Sequence, residues 1–174
     1  MNWIMTYTGK KFYPLNPKIE DIDIKDIAHA LSLKCRYTGH CNVFYSVAQH
    51  SYLASLLRDR ELALSALMHD ASEAYLPDVA RPIKPYLIGF RKIENRILKL
   101  IFKKFDLEYP IPNAIKYADG RLCIAEAKQL GFDISEWELA TKYQPYNINI
   151  FPVGPEKAKE LFMRRFDELN TDLL

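Results

Sequence analysis

Ser46-Val-Ala-Gln-His-Ser-Tyr-Leu-Ala-Ser-Leu-Leu-Arg-Asp-Arg60 runs directly into Glu61-Leu-Ala-Leu-Ser-Ala-Leu-Met-His-Asp-Ala-Ser-Glu-Ala-Tyr75, with no proline or glycine in either stretch. In the first, Val47, His50, Ala54 and Leu57 recur at helical spacing and share one face. In the second, Ala63, Ala66 and Leu67 lead into His69, Asp70 and Glu73, so a helix is expected from about Glu61 to Tyr75, stopped by Pro77. Upstream, Ile24, Ile27, Ala28 and Leu31 predict a third helix with Asp21 or Asp23 as its cap. Before it, Met5 to Tyr13 alternates Thr, Tyr and Phe around Gly9, the pattern of a small hairpin that Pro14 and Pro17 close. Downstream, Pro82 and Pro85 keep a turn out of helix. Ile93, Ile97, Leu100 and Ile101 then mark one side of a long basic helix. Tyr109-Pro-Ile-Pro-Asn113 is a loop whose Asn113 is placed to cap a helix over Ala114 to Leu130, and a last helix spans about Pro155 to Leu169. Helices dominate, and the expected architecture is a single all-α domain over residues 1–174 with a small N-terminal β-hairpin.

Composition narrows the class. The chain has 174 residues, of which 49% are hydrophobic and 26% charged, the balance of a globular protein with a real core. No apolar run approaches the roughly 18 residues that span a bilayer. The first residues have neither a basic start nor a long apolar stretch, so a cytosolic protein with no membrane partner is expected. Cys35, Cys41 and Cys123 are odd in number and contain no C-x-x-C pair, which argues against a disulfide framework and a zinc ribbon. Net charge is +2, too near balance for a stable nucleic-acid partner. Its placement is uneven: between Arg81 and Lys104 stand eight basic residues and one acid, Glu94. Such a cluster is a solvated helix face or a lure for a small anion.

The chemistry-bearing residues converge on two of the four histidines. His50 and His69 fall on otherwise apolar or small-residue faces, where an unpartnered imidazole is costly to bury. Either alone is equally a core histidine with one hydrogen bond. Asp70 directly follows His69, and Asp119 lies in a helical stripe with Ile115, Leu122 and Glu126, where an inward carboxylate demands a cation or strong donors. His50, His69, Asp70 and Asp119 together make a mixed nitrogen and oxygen set suited to a divalent ion such as Mn, Co, Mg, Fe or Zn. Glu73, four residues beyond His69, is placed to orient a water or shuttle its proton. Asp78 follows at the mouth of such a site, and is as well explained as a cap beside Pro77.

His50, the His69-Asp70 pair and Asp119 resemble the H…HD…D signature of the HD-domain metal-dependent phosphohydrolases. The likeness extends through Tyr45-Ser-Val-Ala-Gln-His-Ser51, Met68-His-Asp-Ala-Ser-Glu-Ala-Tyr75, Asp78 and Arg81-Pro-Ile-Lys84 to the small 5'-deoxynucleotidase branch. From Thr6-Tyr-Thr-Gly-Lys-Lys-Phe-Tyr13 to Phe162-Met-Arg-Arg-Phe166 the chain is similar to its short prophage and phage members, which include dATP triphosphohydrolases. The resemblance implies an HD-domain helical bundle, with His50, His69, Asp70 and Asp119 as metal ligands and Glu73 and Asp78 handling water and leaving-group protons. Arg36-Tyr37 matches an Arg-Trp pair that holds the phosphate and packs against the sugar, excluding a 2'-hydroxyl; here the plate is a smaller Tyr with a polar tip. His40 is then a contact to the phosphate or to a residue that holds it, or merely packs. Lys84, with Arg81 and Lys116, is a candidate for gripping further phosphates.

The implied reaction is hydrolysis of the 5' phosphoester of a deoxynucleotide, releasing phosphate from a monophosphate or triphosphate from a substrate such as dATP. A non-catalytic nucleotide or nucleic-acid binding module that uses the basic helix is the alternative, and it predicts binding with a steep salt dependence and no turnover. Because Phe102 and Phe105 add to the apolar face of Ile93, Ile97, Leu100 and Ile101, a homo-oligomer, a dimer or a higher ring, is also expected.

Overall fold

Strands β1 (Ile4–Met5) and β2 (Lys11–Phe12) open a computed structural model that describes residues 2–170. They pair antiparallel with Ile4 opposite Phe12 and Met5 opposite Lys11, and Gly9 supplies the positive φ of 84° at the turn. Phe12 is fully buried and stacks on Tyr75 with ring centroids 3.9 Å apart, which ties the hairpin to the segment that follows His69 and Asp70.

Seven α-helices make up the body among the described residues. Helix α1 (Ile24–Leu33) starts at Asp23, whose carboxylate accepts from the Lys25 N–H, while Asp21 belongs to a short 3-10 turn before it. Asp23 also takes the Lys10 ammonium at 3.1 Å. Replacing Asp23 with Ala removes both partners and is expected to cost about 1 kcal/mol, a fall in Tm of roughly 2–4 °C, with Asp23→Asn restoring most of it. Thermal unfolding of the two variants checks this.

Helix α2 (Val47–Leu56) is capped by the Ser46 hydroxyl, which accepts from the Gln49 N–H; it is shorter than the pattern to Arg60 predicts, because the chain turns before α3 (Arg60–Leu67). The second helix also stops short of Tyr75. Past Leu67 the chain leaves the α conformation, so His69 and Asp70 lie in a turn and Glu73 in a 3-10 segment, Ala71–Ala74. There the His69 ring bonds the Ala66 carbonyl, which in a continued α-helix would accept from the Asp70 N–H, and the Lys34 amino group, just past the end of α1, holds the carbonyls of Glu73 and Leu76 beyond the turn.

Helix α4 (Phe90–Lys104) follows a turn-rich stretch, and α5 (Asn113–Gln129) begins after Pro112 with no side-chain cap, so Asn113 is its first residue and not its cap. Helices α6 (Glu138–Lys142) and α7 (Pro155–Asn170) complete the chain. One core cluster gathers Phe12, Ile27, Leu31, Met68, Phe102 and Phe162 with their neighbours from α1, α3, α4 and α7. A second, smaller cluster holds Tyr45, Ala54, Leu122, Leu130 and Ile150. Helix α2 gives Val47 and Ala48 to the first and Ala54 to the second, which leaves His50 at the seam between them.

The apolar face of α4 does not call for a second copy. Ile97, Ile101 and Phe102 are fully buried, and Ile93, Leu100 and Phe105 pack on the same core. Exposed apolar side chains lie instead just before α4, at Ile83, Tyr86 and Ile88. Among the described residues, no helix is long and apolar enough to cross a membrane.

Candidate metal centre

His50 comes from the middle of α2, His69 and Asp70 from the turn after α3, and Asp119 from the second turn of α5. Each imidazole is oriented by a partner on its Nδ1. The Nδ1 of His50 donates to Glu126 Oε1 at 2.7 Å, and the Nδ1 of His69 donates to the Ala66 carbonyl at 2.7 Å. Both partners are acceptors, so in the neutral rings both Nε2 atoms carry lone pairs, and these face each other across only 3.2 Å. Two lone pairs at that distance repel unless a cation lies against both.

Oxygens complete the cluster. Asp119 Oδ1 lies 3.2 Å from His50 Nε2 and 3.8 Å from His69 Nε2. Asp70 Oδ2 lies 3.2 Å from His69 Nε2 and 3.7 Å from His50 Nε2. One ligand atom each from His50, His69 and Asp119 falls within 4.8 Å of the others, a group that can hold a metal ion. The histidines are buried, at 0% and 7% exposure, whereas the side chains of Asp70 and Asp119 are 25% and 27% exposed. The nitrogens therefore form the floor and the carboxylates the open mouth.

The electrostatics favour positive charge at this point. Burial works against the ionised forms of all four groups, but their mutual attraction wins. Burial raises Asp70, yet His69 and then His50 bring it down to about 2. Burial likewise raises Asp119, and hydrogen bonds from His50 and His69 hold it well below the usual carboxylate range. Burial lowers His69, but Asp70 and Asp119 lift it well above an ordinary imidazole. A field that favours a proton here would favour a divalent ion by the same charges.

Behind the floor lies a second layer that the sequence pattern did not assign. Glu126 is fully buried, on the same α5 stripe as Asp119, and accepts from four groups: His50 Nδ1, the Tyr45 hydroxyl at 2.6 Å, the Arg36 guanidinium at 3.1 Å and, more weakly, the Tyr37 hydroxyl at 3.4 Å. Burial raises its carboxyl, but Arg36, His50 and Tyr45 together hold it below its ordinary value. The signal was its place seven residues after Asp119, two turns along one face. Tyr45 and Lys34 were missed entirely, since neither residue type nor spacing marks them.

The other expected residues divide. Arg36 is near, with Nη1 3.8 Å from Asp70 Oδ2, and its Nε is buried without a partner. Glu73 is close enough to feel Asp70: burial, then Asp70 and Asp78, push its carboxyl up to about 9 against the pull of Arg36 and Lys84. Asp78 is exposed on the following loop. Lys84 pairs with Glu94 at 2.7 Å, so its charge is partly spent. Tyr37 sits beside Arg36 but turns its hydroxyl inward to donate to the Cys123 carbonyl at 2.8 Å, and its ring packs on Phe132. That hydroxyl is engaged in the wall and has no free tip for a ribose. His40 is exposed at the end of the 3-10 turn Tyr37–Gly39. A separate cavity of about 430 Å³ against the hairpin is lined by Tyr7, Asp26, His29, Lys34 and Tyr75, and by none of the metal-centre residues.

No family model matches the chain. It is 39% identical over 172 residues to the uncharacterized protein YfdR of Escherichia coli strain K12, an alignment that covers 98% of this chain and 97% of the relative. An uncharacterized protein of Rhodobacter capsulatus is 34% identical over 149 residues, covering 77% of this chain and 76% of its own length.

Proposed function

We propose an activity for this chain, which belongs to the family of Escherichia coli YfdR: metal-dependent hydrolysis of the 5' phosphoester of a 2'-deoxynucleotide, on an HD-type helical bundle. The single observation that carries the proposal is the pair of Nε2 atoms 3.2 Å apart, flanked by the carboxylates of Asp70 and Asp119 at an open mouth. His50, His69, Asp70 and Asp119 would hold the ion, and the mixed donor set leaves room for Mn, Co, Mg, Fe or Zn. When bound, a divalent ion supplies a Lewis acid for the phosphoryl oxygen and makes water a better nucleophile at neutral pH. The deoxynucleotide itself is supported by the H…HD…D resemblance and by the Arg36-Tyr37 pair beside the cluster.

The protein groups divide the remaining work. Arg36 sets a fixed positive charge next to Asp70, where negative charge gathers as the phosphorus is attacked. Glu73, with a carboxyl near 9 between Asp70 and Asp78, holds a proton that positive charge at the cluster makes easier to exchange with water. Asp78, exposed beside it, passes that proton to solvent or to the leaving oxygen. Lys84 must release Glu94 before it grips a phosphate chain, and assembly of copies would cover the exposed Tyr86 and Ile88.

Incubating the protein with Mn, Co or Mg and each deoxynucleoside mono- and triphosphate, beside the ribose counterparts, tests the proposal. Deoxynucleoside release that needs the metal is expected, with phosphate or triphosphate as the second product. Nucleotide binding without turnover under every metal would make the chain a binding module instead. In the same assay Glu73→Gln is expected to keep metal affinity within about tenfold while turnover drops by roughly 10²-fold. Unchanged turnover would remove Glu73 from the mechanism, and loss of the ion would make it a ligand.

A further inference from the structure

The Arg36-Tyr37 loop is bracketed by two thiols. Cys35 sits at the foot of the loop, where its backbone forms an isolated bridge with Ser46 and the Arg36 N–H donates to the Tyr45 carbonyl at 2.8 Å. The chain then rises through three consecutive left-handed residues, Tyr37, Thr38 and Gly39, with φ of 53°, 56° and 79°, and returns at Cys41. That return brings Cys41 Sγ to 3.6 Å from Cys35 Sγ. Both side chains are partly exposed, whereas Cys123 is buried on α5. A disulfide needs the sulfurs about 2.05 Å apart, so each must move by less than about 1 Å, within reach of side-chain rotation.

We propose that Cys35 and Cys41 are a covalent modification site that takes a disulfide oxidant of the glutathione type and closes a disulfide across the loop carrying Arg36. Burial and the neighbouring Cys35 sulfur raise the Cys41 thiol. The Cys35 thiolate attacks one sulfur of oxidised glutathione and expels a glutathione thiolate. Cys41 then loses its proton to solvent, attacks the Cys35 sulfur of the mixed disulfide and expels the second. Two protein thiols are thereby oxidised and one glutathione disulfide is reduced to two thiols. Closing the sulfurs tightens the loop and draws Arg36 from its place between Asp70 and Glu126, at 3.8 and 3.1 Å. The effect on nucleotide binding rests on the phosphohydrolase proposal; the disulfide does not.

The test treats the full chain with oxidised glutathione at about pH 8, digests it with trypsin without reduction, and weighs the peptides. Cleavage after Lys34, Arg36 and Arg58 separates the two thiols, so a Cys35-Arg36 dipeptide linked to the 37–58 peptide is expected. Cys35→Ser and Cys41→Ser should each abolish that link, and Cys123→Ser should leave it. Only glutathione adducts, or links through Cys123, would overturn the site. On the deoxynucleotide that turns over, the oxidised protein should show a KM raised severalfold and restored by dithiothreitol. An equal KM in both forms would overturn the effect on Arg36. Absence of turnover in either form would count against the phosphohydrolase, while the peptide link still decides the disulfide.

Discussion

If the proposed metal-dependent hydrolysis holds, Asp70→Ala is expected to abolish metal binding and deoxynucleotide turnover together. The carboxylate is one of two that balance the facing imidazoles, lying 3.2 Å from His69 Nε2 and 3.7 Å from His50 Nε2. Changing a residue that only orients a ligand costs metal affinity about 10–100-fold, and loss of a ligand from a four-member set should exceed that. Asp70→Asn keeps an oxygen in place without the charge and should fall between the variant and the parent. Metal content after dialysis, measured by mass spectrometry beside turnover at saturating substrate, reads both effects. Full turnover in a variant with no bound metal would end the metal-dependent mechanism.

Glu126→Ala is expected to do the greatest damage to stability. It leaves the Arg36 guanidinium without its closest carboxylate, the His50 Nδ1–H without an acceptor and the Tyr45 hydroxyl without its 2.6 Å partner, all in the interior. Breaking a buried ion pair from one side costs about 3–5 kcal/mol, which for a domain of this length lowers Tm by roughly 6–20 °C. The loss is mostly the penalty of the stranded charge. The double change Arg36→Leu with Glu126→Leu should therefore unfold at a higher temperature than Glu126→Ala alone. If the double variant is the less stable one, the network contributes through packing and not through charge. Glu126→Gln, which keeps the shape, should retain the fold but loosen the His50 ring and cost metal affinity by about tenfold or more.

Local chemistry made much of this protein legible in its sequence. Apolar positions at helical spacing placed α1, α4, α5 and α7, and a hairpin needed only the alternation about Gly9. The candidate cluster was legible because His50 and Asp119 fall on helical stripes with buried neighbours and Asp70 directly follows a buried His69, and buried polar groups need partners. Helix ends were less so. Nothing in the periodicity of Glu61 to Tyr75 reveals that the His69 ring takes the Ala66 carbonyl, or that the Lys34 ammonium, from just past α1, holds the carbonyls of Glu73 and Leu76. The long-range pairings came from the tertiary structure alone. Glu126 joins His50, Tyr45, Arg36 and Tyr37 because α2, α5 and the Arg36 loop meet there, and the inward turn of the Tyr37 hydroxyl depends on Cys123, 86 residues away. Covering of the α4 face was decided the same way, by the 3-10 segments Ile19–Asp21 and Ala71–Ala74 packing on it. Spacing along one element fixes which side chains share a face, but which face meets which is set only when the chain closes on itself, since that choice is made by the summed burial of every element at once.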